Sequence, residues 1–210
     1  RRIKFPVTVG YGMTETAPLI SFTPWDRFRS QSCGQVLKGF MEARIANPDA
    51  DGVGEIHVRG ENVMEGYYKN EQATKDSFTA DGWLRTGDLG VIDQDGYIYI
   101  KGRCKTMLLG PSGQNIYPEE IEAKINNMPY VLESLVLQKD TRLVALVCPD
   151  FEAVDADKLS QEQLEVVMEE NRKLVNAELA TYEQINELRI YTHEFEKTPK
   201  KSIKRFLYEA

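Results

Sequence analysis

Hydrophobic and polar positions change their rhythm once along this chain. From residue 33 to 103 the apolar residues come in short runs separated by turn chemistry. "FMEARI", "GEIHVRG" and "YIYIKGR" are β-rich runs, and "NPDADGVG" and "DQDGY" are turns. In such turns Asp and Asn bond their own backbone and Gly takes positive φ. Short strands spaced by turns predict a barrel or a strongly curved sheet. Ahead of them, "IKFPVTVGYG" is a short β-rich run that ends in glycines.

After about residue 105 helical spacing enters. "YPEEIEAKINNMP" predicts a helix: Pro118 suits the first turn, Glu119 and Glu120 suit its positive end, and Ile121, Ile125 and Met128 share one face. Pro129 stops it. "ESLVLQ" and "RLVALVCP" read as strands joined by a turn at residues 139–142. Ser160 and Gln163 make a capping box, opening a helix whose apolar positions are Leu164, Val167, Met168, Leu174, Val175 and Leu179. "INELRIYT" is a last strand. Residues 107–210 therefore read as an α+β domain of ordinary size, with the boundary at "KGRCKT".

The chain has 210 residues and a net charge of −7. That charge argues against general binding to nucleic acid, which needs a basic face. The basic end "EFEKTPKKSIKR" carries no interleaved aromatics for base stacking. Cys33, Cys104 and Cys148 are odd in number and far apart, with no zinc spacing, which points to a reducing compartment such as the cytoplasm. His57 lies in the alternating run "EIHVR" and reads as a sheet-face residue. No apolar run approaches the ~20 residues that span a bilayer; peripheral membrane contact and oligomeric state stay open. The start at "RRIKF", without an initiator Met, suggests a piece of a longer protein.

Two stretches carry candidate chemistry. In "GYGMTET", residues 10–16, glycines flank Tyr11 and would leave one face of its ring open; Thr14 beside Glu15 could hold a phosphate oxygen and its Mg²⁺. In "DGWLRTGDLG", residues 81–90, Asp88 could accept two hydrogen bonds from a vicinal diol such as a ribose. Each alone is also what an ordinary turn looks like. Arg103 and Lys105 follow in "YIYIKGRCK".

Taken in order, "YGMTET", "GYYKN…DGWLRTGDLG…DGYIYIKGRCK", "GQNIYPEEIE" and "TPKKSIKR" resemble the later core motifs of the adenylate-forming superfamily: acyl-CoA synthetases, peptide-synthetase adenylation domains and beetle luciferases. The resemblance covers nearly the whole chain, and looks strongest to bacterial long-chain fatty-acid–CoA ligases. It implies an α/β and α+β architecture: residues 1–24 as the end of a Rossmann-like sheet with the nucleotide motif, 25–103 as a distorted β-barrel, 104–106 as a hinge, and 107–210 as a small mobile α+β domain. It implies ATP, AMP, Mg²⁺ and coenzyme A, and an acid–thiol ligase that makes acyl-AMP from a fatty acid and then a thioester. By resemblance Tyr11 and Gly12 lie against adenine, Thr14 contacts phosphate, Glu15 holds Mg²⁺, and Asp88 binds the ribose hydroxyls with Arg103 beside it. Lys105 is the hinge, Gly113 faces the nucleotide and pantetheine channel, Lys201 is the candidate catalytic lysine, and Ala17 and Pro18 border the acyl chain.

Two departures stand out. The family commonly has Asp after the hinge, where this chain has Thr106. Its terminal lysine falls at Ser202, with Lys201 and Lys200 just before. Losing such a charge typically costs ~10²–10³ in rate, and on an extended segment a one-residue shift would reverse the side chain's direction. The family's Ser/Thr/Gly-rich phosphate loop and most of its acyl pocket have no counterpart here, so the fragment alone is expected not to form acyl-AMP. Two alternatives follow: an adenylating enzyme for another acid that passes it to a carrier protein, and a catalytically reduced nucleotide-binding homologue.

Overall fold

A computed structural model describes residues 6–208, so the opening of the first β-rich run, through Phe5, lies outside the described residues. The chain forms two compact units, 1–105 and 106–210.

In the first unit β1 (Val9–Gly12) pairs antiparallel with β2 (Leu19–Thr23), and β2 with β3 (Gln35–Val36). No parallel neighbour of β1 occurs among the described residues. β4 (Met41–Ala46), β5 (Gly54–Gly60), β6 (Leu84–Ile92) and β7 (Ile98–Arg103) make an antiparallel sheet in that order. A short helix, α1 (Glu71–Ser77), sits between β5 and β6 and is capped by Asn70, whose side chain accepts from Ala73 N–H. Its seven residues are too few to show a hydrophobic period in the sequence.

The barrel expected over 25–103 is not closed; the sheets are open. Cys33 N–H donates to Ile98 O (2.8 Å) and Ile98 N–H to Gly34 O (3.0 Å), joining β7 to the segment before β3. The seam runs on through an antiparallel bridge between Gln35 and Tyr97 and a bond from Val36 N–H to Gly96 O (3.0 Å), and ends there. β3 offers two residues, and Met41 N–H then bonds back to Leu37 O (2.9 Å), so β4 departs beside β5 and not beside β1. Closure needs every strand to find a partner on both sides. The strands curve instead around one core that includes Tyr11, Ile20, Met41, Ile56, Val58, Leu84 and Ile98.

The second unit opens with a small hairpin, β8 (Leu108–Leu109) and β9 (Asn115–Ile116), followed by α2 (Pro118–Ile125). β10 (Val131–Lys139), β11 (Arg142–Pro149) and β12 (Ile185–Ile190) form a sheet in that order, with β10–β11 antiparallel and β11–β12 parallel. α3 (Phe151–Ala156) and α4 (Gln161–Asn176) complete the parallel crossover. From Leu143 onward β11 is apolar and buried, because both its faces are covered. Val136, Ala145 and Val147 meet α2 and α4; Leu135, Val144 and Leu146 meet Phe195 from the C-terminal segment.

The capping box at Ser160 and Gln163 is present. The face of α4 differs from the expected one. Leu164, Met168, Asn171 and Val175 are buried, while Leu174 is 59% exposed and Leu179 lies past the helix end. Asn171 completes the stripe at helical spacing and donates to Pro129 O (2.9 Å), so a polar residue holds a core position that hydrophobicity alone would not assign. Among the described residues no helix is long and apolar enough to cross a membrane.

Candidate nucleotide site

β1 ends where the chain must fold back sharply. A side chain at Gly12 would overlap the carbonyl of Pro18, so the motif needs glycine there for close approach, not for positive φ. Residues 14–16 form one 3-10 turn and Ala17 takes a left-handed conformation (φ 49°). Thr16 is fully buried; its hydroxyl accepts from Met13 N–H (3.2 Å) and lies 2.9 Å from Met13 O and 3.0 Å from Pro18 O. That closure leaves Thr14, Ala17 and Pro18 exposed and Glu15 half-buried on the outside of the loop.

A second loop, 61–68, holds the first. Asn62 Nδ2 donates to Thr16 O (2.6 Å) and Leu19 O (2.8 Å). Met64 N–H donates to Glu15 O (2.8 Å), and the Tyr67 hydroxyl donates to Glu15 Oε1 (2.8 Å). That bond to Glu15 raises the Tyr67 phenol above its ordinary pKa. These partners lie 43 to 52 residues from the loop in sequence. The string "GYYKN" was the one signal that could have pointed to Tyr67.

Tyr11, Asp88 and Arg103 come together. The Tyr11 hydroxyl donates to Asp88 Oδ2 (2.7 Å), and Arg103 Nε lies 3.1 Å from Asp88 Oδ1. Asp88 and Arg103 are direct cross-strand partners on β6 and β7. Gly87, at φ +72°, accepts Cys104 N–H (2.9 Å) and bends β6 just before the carboxylate. Asp88 keeps 15% of its side chain exposed and Arg103 60%. Tyr11 is only 9% exposed, so the open ring face expected from its flanking glycines is absent in this structure. Packing against Ile20 and the rest of the core covers the ring. Burial first, and the Asp88 charge second, hold its phenol far above the ordinary range.

Lys105 is exposed at the end of the first unit. In the second unit Thr106 donates to a carboxylate oxygen of Glu119 in the first turn of α2. Gly113, at φ +82° and exposed, turns the β8–β9 hairpin through its N–H to Gly110 O (2.9 Å).

The segment around Lys201 is a hairpin tip, which corrects the extended geometry assumed from sequence. Lys197 bridges Ile203, Thr198 N–H donates to Ser202 O (2.8 Å), and Lys201 N–H donates to Thr198 O (2.8 Å). Pro199 takes the position that its ring pre-sets in a tight turn. Lys201 is left-handed (φ 61°), as the third residue of such a loop commonly is. Alternation of side-chain direction does not apply across this turn. Lys200, Lys201 and Ser202 are all exposed. The other basic residues of the segment are tied down: Lys197 to Glu133 (2.7 Å), Lys204 to Glu196 (3.1 Å) and Arg205 to Glu122 (2.7 Å).

The Glu15 carboxylate suits a hard cation. Oε1 is held by Tyr67, and Oε2 has no hydrogen-bond partner among the described residues. No group of three or more His, Cys, Asp or Glu side chains placed to hold a metal ion occurs among the described residues. A single carboxylate completed by phosphate and water oxygens is how Mg²⁺ is commonly held.

Residues 1–68 match the family model for AMP-binding enzymes. A long-chain-fatty-acid–CoA ligase of Gallus gallus is 37% identical over 66% of this chain and 18% of its own length. A sulfoacetate–CoA ligase of Cupriavidus necator is 46% identical over 59% of this chain and 25% of its own. The o-succinylbenzoate CoA synthetase of Bacillus subtilis, solved with its acyl-adenylate intermediate, superposes with a TM-score of 0.77 at 28% identity, over 98% of this chain and 42% of that one. The same enzyme has been solved with ATP and magnesium ion. This chain spans less than half the length of each. With four motifs in order and the fold in agreement, the chain belongs to the adenylate-forming, AMP-binding family of enzymes.

Proposed function

We propose that this chain is part of an ATP-dependent, AMP-forming acid–CoA ligase acting on a fatty acid, and that it works in a reducing compartment. The observation that carries the reading is the Tyr11–Asp88–Arg103 cluster. It fixes the Asp88 carboxylate between the Arg103 guanidinium and the Tyr11 hydroxyl, an arrangement suited to the hydroxyls of a diol-bearing nucleotide. The exposed Thr14–Glu15 turn, built on the same β1–β2 connection, supports it. The three free cysteines accord with a reducing compartment.

In the proposed reaction the substrate carboxylate attacks the α-phosphorus of ATP. The bond to the β-phosphate oxygen breaks, pyrophosphate leaves, and acyl-AMP forms. The coenzyme A thiol then attacks the acyl carbon, loses its proton and expels AMP. The division into two steps makes chemical sense, because a free carboxylate is a poor electrophile and AMP a good leaving group. The protein's share is positioning and charge neutralisation. Asp88 would hold the ribose hydroxyls, Arg103 and the Tyr11 hydroxyl would fix Asp88, and Gly12, exposed beside the covered ring, would border the adenine. Thr14 and Glu15 would engage phosphate and Mg²⁺, which when bound neutralises phosphate charge. Lys105 would serve as the hinge and Gly113 would face the pantetheine arm. Lys201, at its exposed hairpin tip, would supply the terminal positive charge.

The fatty-acid assignment rests on the Gallus gallus relative; the sulfoacetate ligase is the competing precedent. Pyrophosphate release by the full-length protein, measured with long-chain, short-chain and sulfonated acids, tests it. A preference for a short or sulfonated acid overturns the assignment while leaving the ligase reading intact. Ser202 favours a second reading, a catalytically reduced nucleotide binder. That reading gains if the wild type is inactive and Ser202→Lys is active. It fails if the wild type turns over and Lys201→Ala abolishes adenylation.

A further inference from the structure

The loop "ENVMEGYYKN" has no part in the proposed chemistry, yet it contacts the metal candidate directly. We infer that Tyr67 is a positioning residue that orients the Glu15 carboxylate for a divalent cation. This rests on the reading of Glu15 as the metal-binding residue.

Three observations carry it. First, the Tyr67 hydroxyl donates to Glu15 Oε1 at 2.8 Å, while Oε2 has no hydrogen-bond partner among the described residues. One oxygen is anchored and the other presented. Metal-ligating carboxylates are commonly hydrogen-bonded in this way, and loss of such a partner typically costs ~10–100-fold in metal affinity. Second, the loop that carries Glu15 is tied to the loop that carries Tyr67: Met64 N–H donates to Glu15 O, and Asn62 Nδ2 donates to the carbonyls of Thr16 and Leu19. Three carbonyls of the Glu15 loop are thus anchored from one neighbouring loop. Third, the backbone of Tyr67 is itself anchored. Tyr67 N–H donates to Thr74 Oγ1 (2.9 Å) on α1, and that hydroxyl donates to Asn70 O (2.9 Å). Tyr67 is 39% exposed, so its ring is not a core element and its hydroxyl is the part with a defined partner.

The test uses the full-length protein with Mn²⁺ and a non-hydrolysable ATP analogue, with free Mn²⁺ read by electron paramagnetic resonance. Tyr67→Phe is expected to weaken Mn²⁺ binding in the ternary complex about 10-fold, with nucleotide binding in the absence of metal unchanged. Glu15→Gln should weaken it at least as much, and the double variant no more than Glu15→Gln alone, because the hydroxyl acts only through that carboxylate. If Tyr67→Phe binds Mn²⁺ like wild type while Glu15→Gln does not, the inference is overturned and the metal role of Glu15 stands. If Glu15→Gln also binds like wild type, the metal reading falls and takes the inference with it.

Discussion

Arg205 reaches back across 83 residues to the carboxylate of Glu122: Nη1 lies 2.7 Å from Oε1 and 3.0 Å from Oε2, and Nη2 donates to Val136 O (3.0 Å). Glu122 also accepts Val136 N–H (2.6 Å). Helix α2, strand β10 and the terminal segment are thus joined at one buried carboxylate. Burial pushes its pKa up, and Arg205 pulls it part of the way back. With Lys197 on Glu133 and Phe195 in the core, this contact fixes both sides of the hairpin that carries Lys201.

Removing one partner of such a pair leaves an uncompensated buried group. Arg205→Met should therefore destabilise the chain by about 3 kcal/mol, read as a lower urea midpoint. The double variant Arg205→Met/Glu122→Leu should recover most of that loss. An Arg205→Met variant as stable as wild type would show that the pair contributes nothing net.

Gly12→Ala should cost about 2 kcal/mol or more, because the new methyl overlaps the Pro18 carbonyl, a backbone atom that cannot rotate away. Gly113→Ala has open space around it and is strained only by its positive φ, so it should cost about 1 kcal/mol. Thermal denaturation of the two variants side by side checks the order.

Asp88→Ala should weaken ATP binding to the full-length protein about 10-fold or more. The variant should no longer discriminate ATP from analogues lacking a ribose hydroxyl. Calorimetric titration with ATP and 2′-deoxy-ATP measures both effects. Equal discrimination by variant and wild type would remove Asp88 from the ribose.

The hydrogen bond to Glu133 raises the Lys197 ammonium above its ordinary value. A raised pKa in the folded state means the folded chain holds the proton more tightly. The stabilisation is therefore fully present below the ordinary lysine value of 10.5 and is lost as pH rises through the raised one. Lys197→Met should flatten the alkaline decline in stability between about pH 10 and 12, with little change in its slope near neutrality.

How much was legible beforehand differs by element. The strands at "GEIHVRG" and "RLVALVCP", the Pro118 helix start and the Ser160 capping box rest on local rules, and each stands in the structure. The bringing together of Tyr11, Asp88 and Arg103 is expected only through the family's motif order, since nothing local relates two positions 77 apart in the chain. Tyr67 and Asn62 went unread for the same reason without a motif role to flag them. The exposed Leu174 and buried Asn171 show the other failure, in which hydrophobicity is a weaker guide than helical phase when a polar side chain finds a buried carbonyl.

The sequence by itself determined the local pieces: which runs extend, which coil, where glycine and proline force a turn, and the order of the nucleotide motifs. These follow from backbone sterics and short-range capping, which act within a few residues. Tertiary structure decided that the sheet stays open, that Tyr11 is covered, that Glu15 is oriented from a second loop, and that Lys201 stands at the tip of a hairpin. Those outcomes depend on hydrogen bonds and packing between segments tens of residues apart, and only the folded chain brings those segments within reach.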